Sequence, residues 1–379
     1  MHLTLDANRT ASILEVNALS IQSAERVLID QLSFELRAGQ TLALVGESGS
    51  GKSISALALM GLLPKVLQVQ GSVLLDGKNL LKLSDAQLRS IRGQKIAMVF
   101  QEPMTALNSL HRVEKIIAET LWSQGWSKTQ ARQRVIALLE DVGIPNPESV
   151  LQHFPYELSG GQRQRVMIAM ALAGKPKLLI ADEPTTALDI VVRTEIMELL
   201  NQLQKYLALS VILISHDIDL VRSFVDKVVV LDHGRVGDVG TPEQVFLHSS
   251  HIATQNLLRV HLRPESLDSE LLAQKSAAPV LQVQDLSVDY VLPRKNWKFW
   301  QPTPIFRALS QVSFDLKPAQ TLAVVGESGS GKSTLARCLL QLLSLDSGEV
   351  LFAGQDLAKL DGTALRQVRK NLQMVFQDP

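Results

Sequence analysis

"TLALVGESGSGKS" fills residues 41–53, and "TLAVVGESGSGKS" repeats it at residues 321–333. Each copy opens as a short apolar run suited to a buried strand and passes through a glycine-rich loop. In the first copy the loop leads into "SISALALMGLL", which has a helical apolar pattern. The spacing G-x-x-x-x-G-K-[ST] carries meaning only with a strand before it and a helix after it, and both are present. Gly46, Gly49 and Gly51 let the backbone N–H groups of the loop, those of Glu47, Ser48 and Ser50 included, turn inward around a phosphate. Lys52 then reaches the β- and γ-phosphates, and Ser53 offers its hydroxyl to Mg²⁺. The second copy supplies the same set: Gly326, Glu327, Ser328, Gly329, Ser330, Gly331, Lys332 and Ser333, with Thr334 following. A pattern met twice with matching flanks is not coincidence.

The repeat extends beyond the loop. "LEVNALSI" (14–21) matches "LQVQDLSV" (281–288), and "IAMVFQEP" (96–103) matches "LQMVFQDP" (372–379). The segment 262–279, polar and ending in small residues and Pro279, reads as a linker. The expected layout is therefore a first domain over 1–261, a linker over 262–279, and the N-terminal part of a second domain over 280–379. The sequence stops just after the second Phe-Gln pair, so a second domain cut short at its C-terminal end is expected.

Composition narrows the class. Lys plus Arg and Asp plus Glu both number 38, giving zero formal charge. Coating nucleic acid requires many cations set against phosphates, so a nucleic-acid partner is not expected. The single cysteine, Cys338, can form neither an internal disulfide nor a multi-cysteine metal site, and it reads as a buried helical thiol. "VILI" (211–214) and "KVVVL" (227–231) are short and β-branched, suited to buried parallel strands and far below the length of a membrane span.

Four further stretches carry chemistry. "LLIADEP" (178–184) is an apolar strand that pushes two acids out at its carboxyl end, where ligands of open α/β sheets bind. There Asp182 is placed to hold a metal and Glu183 to polarise a water. "LSGGQRQRVMIAMALAGKP" (158–176) begins with Ser159, Gly160 and Gly161 ahead of helical spacing. A helix N-terminus favours an anion, and the Gly-Gly pair admits close backbone approach. His216, after the strand "VILIS", could donate to a γ-phosphate oxygen. Gln101, after "IAMVF", can reach metal or water.

The order of these motifs resembles that of ATP-binding cassette (ABC) ATPases. "LSGGQ" resembles the family signature, including Gln162, and "ADEPTTALD" resembles its Walker B segment and D-loop, including Asp189. Gln101 and His216 resemble its Q- and H-loops. "FQEPMTALNSLHRV" and "HFPYELSGGQRQRVMIAMAL" further resemble the ATPases of bacterial peptide importers, some of which carry two cassettes in one chain. The resemblance implies an α/β P-loop NTPase fold with a RecA-like core, an antiparallel β subdomain and an α-helical subdomain at about 104–158. It implies ATP and Mg²⁺ as ligands and ATP hydrolysis as the reaction. Catalytic roles fall to Lys52, Gln101, Glu183 and His216, and metal-binding roles to Ser53, Gln101, Asp182, Ser333 and Gln377. It also implies pairing of cassettes, each ATP lying between one P-loop and the facing signature. The implied partners are two transmembrane permease subunits at the cytoplasmic face of the bacterial inner membrane and, indirectly, a periplasmic solute-binding protein. With neither sandwich complete in this sequence, ATP binding with poor hydrolysis is expected of it alone.

Two points depart from the pattern. Relatives usually stack adenine on an aromatic upstream of the P-loop. Tyr290 provides one in the second copy, whereas Ser23 stands there in the first. In "RKNWKFW" (294–300) three aromatics lie among three cations, a composition suited either to a solvated loop or to a permease or lipid contact. A soluble tandem ABC ATPase acting on ribosomes is the competing class, but the long charged helical linker of such proteins is missing between the copies.

Overall fold

The structure, a computed structural model, describes residues 12–186, 188–261, 278–291, 305–326 and 329–376. The chain divides into two compact units, residues 1–264 and 265–379. Residues 262–277 of the linker, the whole of the 294–300 stretch, and Glu327, Ser328 and Gln377 lie outside the described residues.

The first unit is built on a six-stranded sheet of order β10-β9-β3-β8-β7-β6. Its strands are β3 (Thr41–Val45), β6 (Ile96–Val99), β7 (Leu178–Asp182), β8 (Ser210–Ile214), β9 (Lys227–Asp232) and β10 (Arg235–Gly240). All neighbours pair in parallel except β9 and β10. Apolar runs without polar alternation form the five parallel strands because both faces are covered, while the antiparallel edge strand β10 is polar and partly exposed. Leu42, Leu44, Ile180 and Ile212 enter one core, while Ala43, Val45, Ala181 and Leu213 enter the other.

An antiparallel sheet of order β2-β1-β4-β5 and the P-loop helix share the first of these cores. Its strands are β1 (Ser12–Gln22), β2 (Val27–Arg37), β4 (Gln68–Leu75) and β5 (Lys78–Asn79), and the helix is α1 (Lys52–Leu59). Helix α2 (Asp85–Ile91) adds Leu88 and Ile91. Asp76, in the turn between β4 and β5, pairs with Lys95 at 3.1 Å and Lys177 at 3.2 Å, ahead of β6 and β7. This ties the two sheets together.

The second core is covered by helices: α3 (Pro103–Ala106), α4 (Val113–Ser123), α5 (Lys128–Asp141), α6 (Pro147–Val150), α7 (Gly160–Leu172) and α8 (Ile190–Leu207). Three short helices close the unit: α9 (Ile218–Phe224), α10 (Pro242–His248) and α11 (Ile252–His261). Among the described residues, no helix is long and apolar enough to cross a membrane. The fold is the α/β P-loop NTPase architecture, with an antiparallel β subdomain and a helical one, expected from the sequence.

The second unit repeats the antiparallel sheet in the order β12-β11-β13-β14, with β11 (Leu281–Val291), β12 (Ile305–Leu316), β13 (Ser347–Phe352) and β14 (Gln355–Asp356). Helix α12 (Lys332–Leu339) buries Leu335 and Cys338 against it, and α13 (Gly362–Val368) follows. Burial holds the Cys338 thiol above its ordinary pKa, in keeping with an inert core thiol. Here the repeat stops being structural. "TLAVV" (321–325) forms no strand, and Val325 is 87% exposed. Likewise "LQMVF" (372–376) forms none, and Val375 is 97% exposed. In the first unit β3 is flanked by β8 and β9, and no counterparts of those strands exist among the described residues of the second.

Helix α7 ends just ahead of Gly174 and Pro176, with Ala173 as its cap. A Cβ on Gly174 would stand 1.7 Å from the Gly93 carbonyl oxygen and 2.8 Å from Gln124 Nε2. Gly174→Ala is therefore expected to destabilise the first unit by about 1–3 kcal/mol, the usual cost of overpacking. The signature in urea unfolding is a lower midpoint at unchanged slope. An unaltered midpoint would show that the backbone yields freely there.

Candidate nucleotide-binding site

Four strand ends converge on one edge of the parallel sheet. The P-loop follows β3, Gln101 follows β6, Asp182 ends β7 with Glu183 beyond it, and His216 follows β8. This is the carboxyl edge, where parallel α/β sheets bind ligands. The sequence places these residues about 170 positions apart, and the sheet order brings them together.

The loop geometry requires its glycines. Gly49 and Gly51 take φ values of 81° and 104°, in the left-handed region that side chains avoid. A Cβ on Gly46 would sit 2.2 Å from the Leu231 carbonyl oxygen, and one on Gly51 2.3 Å from Ile29 Cδ1. Lys52 Nζ folds back over the loop, donating to the carbonyl oxygens of Gly46 at 2.9 Å and Glu47 at 2.8 Å. Ser53 Oγ donates to Asp182 Oδ1 at 3.2 Å.

Burial pushes Lys52 below its ordinary pKa, against the pull of Glu183 and Asp182. Burial likewise raises the Asp182 carboxyl, opposed by the Ser53 hydrogen bond, aided by the charge of Glu183 and opposed by Lys52. The site thus holds a buried cation beside hard oxygen donors. Such oxygens suit Mg²⁺, which keeps several waters and takes one or two carboxylates plus phosphate oxygens.

Glu183 sits at φ 44°, a region costly for a residue with a side chain and found at functional sites. Its Oε2 accepts from Gln101 Nε2 at 3.1 Å and from Thr186 Oγ1 at 2.8 Å. His216 Nδ1 lies 3.3 Å from Oε1. The imidazole side chain is 59% exposed, the carboxylate 17%. Thr186 was not singled out from the sequence. The available signal was a hydroxyl three residues after an acid, across Pro184.

Ser159 caps α7: its Oγ accepts from Gln162 N at 3.2 Å, and Gln162 Oε1 accepts from Ser159 N at 3.1 Å. The glycines also serve packing within the same unit. A Cβ on Gly161 would lie 2.8 Å from Val192 Cγ1, and one on Gly160 3.4 Å from Leu188 Cδ2. Packing against Val192 thus accounts for Gly161 within this unit, and the ordinary Ser159 cap is present as well. Asp189 caps α8, accepting from Val192 N at 3.0 Å. The segment leading to the cap is braced by Phe154 stacked on Tyr156, with Arg112 over the Phe154 ring and Arg163 Nε donating to the Pro155 carbonyl oxygen.

In the second unit Gly326, Gly329 and Gly331 keep the same backbone signs, and Lys332 Nζ donates to the Gly326 carbonyl oxygen at 2.8 Å. The Tyr290 hydroxyl lies 3.4 Å from Thr334 Oγ1, one residue past Ser333. No acid approaches Ser333 as Asp182 approaches Ser53, among the described residues.

The sequence profile of the ABC transporter family matches residues 29–186 and 309–379. The chain belongs to the ABC transporter family. It is 44% identical, over 98% of its length, to the peptidoglycan transport ATP-binding protein YejF of Agrobacterium fabrum, covering 68% of that protein. It is 39% identical, over 99% of its length, to the glutathione import ATP-binding protein GsiA of Escherichia coli, covering 65% of that one. The chain therefore spans about two thirds of these relatives. Among solved structures, cbiO1 from Clostridium perfringens, part of the ABC transporter complex cbiONQ, superposes with TM-score 0.56 at 31% identity, covering 66% of this chain and 96% of that one. The dimeric cassette MJ0796 bound to ADP and Pi superposes at 0.54 with 28% identity, covering 60% of this chain and 98% of that one. This ABC chain is accordingly of the ATPase type.

The raised pKa of Asp182 gives a pH test. A carboxyl whose folded pKa is raised costs stability once ionised, fully above that pKa and not at all below the unfolded value. Asp182→Asn should thus raise the melting temperature of the nucleotide-free ABC chain at neutral pH. The gain should shrink as pH falls through the raised pKa toward about 4, the ordinary carboxylate value. A difference independent of pH, or a lower melting temperature at neutrality, would contradict this assignment of strain.

Proposed function

We propose that this chain is the ATP-binding component of an importer of the peptide class, and that hydrolysis at the first cassette drives two transmembrane permease subunits. The observation that carries the reading is the convergence of Lys52, Ser53, Gln101, Asp182, Glu183 and His216 on one sheet edge. Support for the transported class comes from the names of the relatives, a peptidoglycan transporter and a glutathione importer. Those names lend nothing to a ribosomal role. A peripheral position on the cytoplasmic side of the inner membrane follows from the permease partners, and cargo would arrive by a periplasmic solute-binding protein.

In this mechanism the loop amides and Lys52 hold the β- and γ-phosphates of ATP, Lys52 exchanging its two carbonyl contacts for phosphate oxygens. Ser53 and Asp182 would hold Mg²⁺, which when bound neutralises charge building on the phosphates. Glu183 accepts the proton of the attacking water. Gln101 orients that water, and His216 donates to the γ-phosphate. Ser159, Gly160, Gly161 and Gln162, with Asp189, face the ATP of a paired cassette, so binding of two ATP molecules closes two cassettes together. In the second cassette Gly326 to Gly331, Lys332, Ser333 and Thr334 would cradle the other ATP, Ser333 and Gln377 its metal, and Tyr290 its base.

Glu183→Gln keeps the size and hydrogen bonding of the side chain but cannot take up the proton. In the reconstituted transporter it should leave ATP binding intact and slow single-turnover hydrolysis about 10²–10⁴-fold, the usual share of a general base. Peptide uptake into proteoliposomes should stop with it. Wild-type hydrolysis in the variant would remove Glu183 from the chemistry. Hydrolysis that peptide and solute-binding protein never stimulate would remove the importer reading.

A further inference from the structure

We propose that Arg26 holds the nucleobase at the first cassette, its guanidinium plane taking the place of the ring that Ser23 lacks. The ligand is a nucleoside triphosphate gripped at its base as well as its phosphates, so the proposal deepens the ATP-binding reading above and rests on it.

The β1–β2 hairpin sets the geometry. Gln22 and Val27 are the last paired residues of the two strands, and beyond them Ser23 N donates to the Arg26 carbonyl oxygen at 2.9 Å. Ser23 and Arg26 therefore stand opposite one another, and residues opposite across a ladder share one face. That face is also the face of Ile21, two residues earlier on the same strand. Ile21 is fully buried in the core that holds Ala56 and Leu59 of the P-loop helix. The pair that closes the hairpin thus lies on its P-loop side.

Ser23 has little left to offer a ligand. Its Oγ accepts from Arg26 N at 3.2 Å and Glu25 N at 3.4 Å, and donates to the Arg26 carbonyl oxygen at 3.2 Å. Arg26 is exposed, and its guanidinium makes no ion pair or hydrogen bond among the described residues.

The second unit shows where such a pair stands relative to a P-loop. Arg26 and Phe306 each precede by 15 residues the threonine that opens the shared stretch, Thr41 and Thr321. Phe306 is the cross-strand partner of Tyr290, whose hydroxyl lies 3.4 Å from Thr334 Oγ1 in the first turn of its P-loop helix. Serine with arginine in the first hairpin therefore occupies the place of tyrosine with phenylalanine in the second. An arginine keeps the property of a ring that matters there, a flat, delocalised, weakly hydrated plane that stacks on aromatic faces. Its charge adds a cation–π attraction to the stack.

The test is titration calorimetry on the full chain carrying Lys332→Ala, which leaves the first P-loop as the reporting site. Two ligands are compared, MgATP and magnesium tripolyphosphate, the second carrying phosphates without a base. Arg26→Ala should weaken MgATP about three- to tenfold, the span of an exposed to partly covered cation–π contact, and leave tripolyphosphate within about twofold. Arg26→Tyr should bind MgATP at least as tightly as the parent chain. Arg26→Lys keeps the charge but not the plane and should behave as Arg26→Ala does. Unchanged MgATP affinity in Arg26→Ala would overturn the proposal, as would Arg26→Tyr binding no tighter than Arg26→Ala. Equal loss of both ligands, or full rescue in Arg26→Lys, would make Arg26 a charge for phosphate and overturn it too. A parent chain that binds no MgATP defeats the ATP reading and this role together, while differences among the variants bear on Arg26 alone.

Discussion

Everything in the nucleotide site hangs from the pairing of β3 between β8 and β9. Burial on both faces and parallel neighbours on both edges fix where the strand ends, and its end fixes the P-loop. The loop is then locked by contacts a side chain would destroy, Gly46 against the Leu231 carbonyl and Gly51 against Ile29. The second unit shows what the same residues do without neighbours. "TLAVV" differs from "TLALV" at one position, yet it is exposed and forms no strand. Strand propensity is context, and burial supplies most of it.

The second constraint is electrostatic. Asp182 and Lys52 are buried together at this edge beside Glu183, and burial works against the charged form of both. Lys52 donates to two loop carbonyls, and Glu183 is met by an amide, a hydroxyl and an imidazole. A site that holds its groups close to their working positions, partnered by groups that can let go, avoids reorganisation when charge develops.

Much of this was legible in the sequence. The glycine loop, the strand ending in Asp182 and Glu183, and the short β-branched runs that became β8 and β9 all rest on local pattern, and each is where that pattern put it. The duplicated antiparallel sheet was legible as a repeat. Three things were not. The packing constraint on Gly161 comes from Val192, some thirty residues on, and no local pattern reports a packing neighbour. Thr186 looked like one more turn residue, since its contact to Glu183 depends on a left-handed backbone at an acid. The failure of 321–325 to form a strand is set by which strands stand beside it, a property of topology and not of the stretch itself.

The two P-loops are nearly identical in sequence and differ in what surrounds them, so they offer an internal comparison. Under the proposed reading, ring stacking by Tyr290 would add about 1–3 kcal/mol to the second site, while the first has a paired strand, a buried lysine and an acid beside Ser53. If assembly of the sheet edge governs binding, titration calorimetry with MgATP on this chain will show that Lys52→Ala removes most of the affinity and Lys332→Ala little. Loss of binding in Lys332→Ala with Lys52→Ala unaffected would contradict the dependence of the site on the paired strand.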